Sequence, residues 1–182
     1  MDLKTESLKF DDGIHEKMYV IGIDDYQVIK LTKLKDGNYS GNLTNYIWES
    51  NDNGDKVKQR SQKREITSLV VEELMNALKL NEFETIPDGK NVKGCIVGSG
   101  GVTISLTTKY LNERHTSKYW EPQSMLYYRN TKISEILRVR EILKMINVAI
   151  NYEAQYEKFA KSMPDGQYVY GSMSFDKRRK RD

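Results

Sequence analysis

Three kinds of residue in this chain could take part in chemistry, and two of them, cysteine and histidine, are scarce. There is one cysteine, Cys95, and there are two histidines, of which His115 is the one that could serve as base to a thiol nucleophile. Such a pair is defined by convergence in space. A lone cysteine between Gly94 and Ile96 is expected to behave as a small buried apolar group. Glu121, just before Pro122, has the chemistry of a general acid, but one carboxylate without a partner does not specify a hydrolase. The acidic positions Asp11-Asp12, Asp24-Asp25, Asp52 and Asp55 could face a hard cation. They lack the alternating acids, glycine and distal glutamate of a calcium loop, and read instead as solvated turns. One cysteine with two histidines also falls short of the ligand count of a tetrahedral zinc site. We therefore expect no catalytic set, no metal and no cofactor.

The stretch Gly94-Cys95-Ile96-Val97-Gly98-Ser99-Gly100-Gly101-Val102-Thr103 invites comparison with a phosphate cradle. A P-loop needs a lysine at a fixed place and a helix directly after it, so that amides and helix dipole converge on phosphate. Here the lysine is missing and the next element reads as a strand. The dinucleotide pattern fails too, because Thr103 stands where its third glycine would fall. The expected role of these glycines is a turn feeding that strand.

The elements around these residues follow from periodicity. Met18 to Ile23 and Tyr26 to Leu34 are β-rich and separated by Asp24-Asp25. Asp36-Gly37 predicts a two-residue type I′ hairpin, and Asn53-Gly54 repeats that chemistry between Tyr39–Glu49 and Val57–Ile66. The last run, rich in Lys and Arg, fits a sheet edge. Thr67 or Ser68 is expected to cap a helix whose stripe is Val70, Val71, Leu74, Ala77 and Leu78, with Glu72 and Glu73 in its first turns. Val102 to Tyr110 alternates with period two, Arg114 to Trp120 returns, and Asn112-Glu113 turns the chain between them. A long amphipathic helix, capped by Asn130 or Thr131, runs from Ile133 toward Ala160 and stops at Pro164-Asp165-Gly166. The fold class expected is α+β: an antiparallel sheet, built from an N-terminal meander and a later hairpin, against one short and one long helix. Residues 1–17 read as a lead-in, 18–163 as one domain and 164–182 as an extension with a basic tail.

At 182 residues, the chain can bury about 70% of its unfolded surface in one core, without staples. It is 38% hydrophobic and 30% charged, with a mean hydropathy of -0.70, and holds no apolar run of membrane-spanning length. We expect no membrane span, and a cytoplasmic protein as the chain stands; removal of a leader would instead point to a periplasmic or lipoprotein origin. The segment Asp176 to Asp182 sets five cations against two anions and so carries the whole net charge of +3. Lys177, Arg178, Arg179, Lys180 and Arg181 could bind a phosphate backbone, and Tyr168, Tyr170 and Phe175 could stack on bases or anchor the tail. With the remainder neutral, a solvated tail is the expected reading and nucleic acid an unlikely partner.

The order of strand meander, short helix, Leu80-Asn81-Glu82-Phe83, Pro87-Asp88, glycine loop, Gly101 to Leu106 and Tyr119-Trp120-Glu121-Pro122 resembles small uncharacterised bacterial α+β domains. Some of these look like immunity proteins, which neutralise toxins exchanged between competing bacteria. The resemblance covers the middle half of the chain and implies a non-enzymatic binding protein whose partner is a cognate toxin or effector. Large rigid rings favour protein interfaces, and the chain offers Tyr46, Trp48, Trp120 and Tyr127-Tyr128. The expected contact surface is Trp48, Asp52, Asp55, Lys90, Lys93, Ser99 and Trp120.

Overall fold

The computed structural model of the chain describes residues 9–111 and 113–177. Eight strands among them form one antiparallel sheet: β1 (His15–Ile23), β2 (Gln27–Leu34), β3 (Tyr39–Ser50), β4 (Lys56–Ile66), β5 (Thr103–Tyr110), β6 (Glu113–Trp120), β7 (Gly166–Tyr170) and β8 (Met173–Lys177). Strand order is β6-β5-β1-β2-β3, with β4 on the far side of β3. The twelve-residue β3 outruns β2, and β7 pairs with its free end at Trp48, Glu49 and Ser50. Helices α1 (Ser68–Leu80), α3 (Ser134–Ile150) and α4 (Tyr152–Ser162) accompany the sheet, and α2 (Met125–Tyr128) is a single turn. The chain is thus an α+β fold on an antiparallel sheet. No helix among the described residues is long and apolar enough to cross a membrane.

Alternation along the strands sorts the core onto two faces. Tyr19, Ile21 and Ile23 of β1, Ile29 and Leu31 of β2, and Ile104 and Leu106 of β5 meet Val71, Leu74 and Leu78 of α1 and Ile136, Val139, Leu143 and Ile146 of α3. A second cluster joins Ile47 of β3 to Tyr156 and Phe159 of α4 and Tyr168 of β7. The intervening residues Met18, Val20, Val28 and Tyr46 point to the opposite face, where Phe10 packs on them. By register that second face also carries Lys30, Lys63, Lys109, Arg114 and Lys118.

The local chemistry departs from expectation in several places. Both glycine turns of the meander are three-residue loops. In each only the glycine takes positive φ (Gly37 87°, Gly54 81°), and Leu34 and Asn51 each close their loop by accepting from that glycine. This is a type I turn followed by a bulge, not type I′; the Asp36 and Asn51 side chains accept from the backbone within the loop and hold the first two residues right-handed. Thr67 stands at the N-cap of α1 without a side-chain cap bond, and the first turn of α1 holds no acid. The long helix begins at Ser134 and breaks at Asn151, which adopts a left-handed conformation (φ 49°, ψ 49°); Asn147 spans the break by pairing with Glu153. His15 to Lys17 belong to β1, ahead of the expected start of the first strand. Residues 166–177, read from sequence as an extension, form a hairpin of the sheet, with Tyr168 only 1% exposed.

Candidate functional site

The glycine loop is a saddle for Trp120. A Cβ on Gly98 would lie 2.5 Å from the indole, so the backbone can rest on the ring only because the residue is glycine. Gly100 and Gly101 take left-handed φ of 75° and 73°, and the Gly100 carbonyl accepts the indole N–H. Glu121 fastens the loop: its amide donates to the Val102 carbonyl at 2.8 Å, and its Oε1 accepts from the Val102 amide at 2.7 Å. That carboxylate, the general-acid candidate of the sequence, is committed to a backbone bond. The next element is β5, so no helix dipole faces the loop, and its carbonyl is turned to the indole.

Trp120 also packs on Tyr127, with ring centroids 4.7 Å apart. The elements that carry this pair, the glycine loop and α2, also leave apolar side chains open. Val97 is 74% exposed, Met125 63% and Leu126 82%. The Tyr128 hydroxyl accepts from the Ile96 amide at 2.8 Å and ties the saddle to α2, while the Ser124 hydroxyl caps that turn. A cleft of about 670 Å³ runs beneath Ile96, Val97 and Gly98 against β6, and Lys90, Arg114 and Lys118 line it. These cations continue the second face of the sheet. There burial and the neighbouring charges of Lys63 and Lys109 push the Lys30 ammonium below its ordinary pKa. The neutrality of the chain outside its tail is therefore not an even mixture: cations gather on this face, where Glu65 pairs with Lys63 at 2.9 Å on β4 and Asp88 lines the cleft beside Lys90, Arg114 and Lys118.

The remaining sequence candidates divide by position. Lys93 and Ser99 are exposed in the loop that carries the saddle. Trp48 shares the second face with Trp120 by register, but four strand spacings separate β3 from β6, about 19 Å at 4.8 Å per strand. Asp52 and Asp55 are exposed in the β3–β4 turn, where Asp55 accepts from Asn51. Trp48 lies under Lys56, which pairs with Asp25 at 3.0 Å. The expected surface thus splits into a Trp120 half and a Trp48 half. Cys95 lines the cleft and packs on the core, and burial, with the charge of Glu135, pushes its thiol pKa up, away from a nucleophilic thiolate. His115 is not part of that cleft; its Nε2 lies 2.8 Å from the Ile86 carbonyl and 3.0 Å from the Ser117 hydroxyl. Among the described residues no three His, Cys, Asp or Glu side chains gather where a metal ion could be held. Lys177, assigned from sequence to the solvated tail, is the last residue of β8, and its ammonium donates to the Lys161 and Met163 carbonyls at the end of α4. Arg178, Arg179, Lys180 and Arg181 lie outside the described residues.

Sequence reasoning missed Ile96, Val97, Met125 and Leu126. The run from Ser124 to Arg129 is too short for a helical period to show, so Tyr127-Tyr128 stand out as rings while Met125 and Leu126 beside them do not. The neighbouring Pro122 and Ser124 were the available signal, marking a capped single turn too short to bury all of its own side chains. No protein-family model and no curated protein matches the chain.

Proposed function

We propose that this protein acts by binding another protein through the Trp120 surface, as an immunity-type inhibitor that neutralises a toxin by covering it. The observation that carries the reading is the exposure of Val97, Met125 and Leu126 on the two elements, glycine loop and α2, that hold the Trp120–Tyr127 pair. Monomeric proteins seldom leave such side chains clustered without use, and rings held by a rigid support are the anchors of tight interfaces. The cations Lys90, Arg114 and Lys118 beside it favour a partner whose apolar contact is rimmed by carboxylates. The commitment of Glu121 to the backbone and the raised thiol of Cys95 fit a binding role. The resemblance to immunity proteins supplies the class of partner.

The test uses the purified protein and the product of the gene adjacent to its own. An equimolar amount of the folded protein is expected to abolish the toxin's activity, and Trp120→Ala to weaken the complex by about 2–4 kcal/mol while leaving the melting transition cooperative. Full toxin activity in the presence of the folded, equimolar protein would overturn the proposal.

A further inference from the structure

A second cavity, of about 380 Å³, opens between the β1–β2 end of the sheet, α4 and the β7–β8 hairpin. Its walls include Tyr26, Tyr152, Tyr156 and Tyr170, with Glu121 and Glu153 as its charged side chains and no Lys, Arg or His. Tyr26 and Tyr170 meet edge to face, with centroids 5.4 Å apart and planes at 85°. Tyr156 closes the corner at 4.8 Å from Tyr26 and 5.1 Å from Tyr170. Three mutually inclined rings make a corner, and the ring faces not covered by a neighbour's edge carry the negative side of the aromatic quadrupole.

We propose that this cavity binds a small organic cation bearing an alkylated ammonium group, held against the tyrosine rings and balanced by Glu153. Two independent features lead to this ligand class. Aromatic faces attract a cation that sheds water easily, which favours a methylated ammonium over a bare metal ion. The charged side chains of the lining are of one sign, with Arg140 behind the wall on the Pro122 and Ser124 carbonyls; burial first, and then Asp24, Tyr170, Glu153 and Glu121, raise the Tyr26 hydroxyl to about 12. An anionic ligand would meet carboxylates with no counter-charge in the lining, and a neutral apolar ligand would gain nothing from them. The Glu121 side chain is engaged with the Val102 amide, whereas Glu153 is exposed at the first turn of α4 and shares its Oε2 with Asn147 at 2.9 Å. Glu153 is therefore the more solvent-open of the two carboxylates, with Asn147 and the Tyr152 hydroxyl as its present partners. The site needs no protein partner, so its test is separate from that of the inhibitor reading.

The experiment titrates the full chain with choline and, in parallel, with 3,3-dimethyl-1-butanol, its uncharged isostere, following tyrosine ring resonances. Saturable binding of choline in about the millimolar range, with the isostere at least about tenfold weaker, is the expected result. Glu153→Gln and Tyr170→Leu should each weaken choline by about tenfold. Both variants are checked by their melting transitions; should Tyr170→Leu fail to fold, Glu153→Gln, at an exposed position, still decides. Absence of saturation at tens of millimolar choline, equal binding of the isostere, or binding indifferent to Glu153→Gln would each overturn the proposal.

Discussion

Trp120 is held by contacts that only small or committed neighbours permit, and this gives the site its own mutational signature. Gly98→Val places a branched side chain where the indole stands. The expected cost is about 1–3 kcal/mol of stability with a shift in tryptophan emission, read by melting and fluorescence, since overpacking forces a ring out of its seat. A different residue-scale effect belongs to Glu84. Burial raises its pKa, but bonds from the Lys17 ammonium and the Tyr19 hydroxyl outweigh it, so its carboxyl titrates below its ordinary value. A carboxyl lowered in the folded state stabilises above its unfolded pKa, and that contribution fades as the pH falls through the folded value. Glu84→Gln is expected to cost about 1–2 kcal/mol at neutral pH, with the difference from the parent vanishing on acidification below the ordinary carboxylate range. Denaturant titrations across pH measure it. A constant difference at all pH would mean that shape, not charge, is what Glu84 supplies.

At the scale of elements, Asn151 sets the relation of α3 to α4. Its left-handed conformation is one that asparagine tolerates and β-branched residues resist. Asn151→Val should destabilise by about 1–2 kcal/mol while Asn151→Gly stays close to neutral, as calorimetry would record. This break also shows where legibility ended. The apolar spacing from Ile136 to Ile146 predicts a helix correctly, but α4 carries a stripe of its own, Tyr152, Tyr156 and Phe159, and spacing alone does not register a change of axis. The strands β1 to β6 were legible because alternation and turn glycines report local backbone directly. The turn types were not, since Asp-Gly and Asn-Gly serve both a two-residue loop and a bulged three-residue one. The saddle was half legible: its glycines stood out, but their reason is Trp120, which reaches them through sheet pairing. The β7–β8 hairpin was hidden because its strands are five residues long and gain their partner only from β3.

The whole molecule is closed by that hairpin. Tyr168 fills the cluster of Ile47, Tyr156, Phe159 and Met163, and its hydroxyl donates to the Pro164 carbonyl at 3.0 Å. Tyr168→Ala should therefore cost about 3–5 kcal/mol, the loss usual for a large buried ring. Thermal melting checks this, and a change under about 1 kcal/mol would show the second cluster to be dispensable. The tyrosine cavity and the Trp120 saddle share the segment from Glu121 to Ser124: both residues line the cavity, while Glu121 fastens the glycine loop through Val102 and Ser124 caps α2.

The pairing of Ser50 with Gln167 has a consequence for biosynthesis. The first four strands are complete early in translation, yet the free end of β3 waits for a partner made more than a hundred residues later. Until the ribosome releases that partner, the exposed rim of the growing sheet is a place where a chaperone, or another copy of the same nascent chain, can take the seat meant for β7.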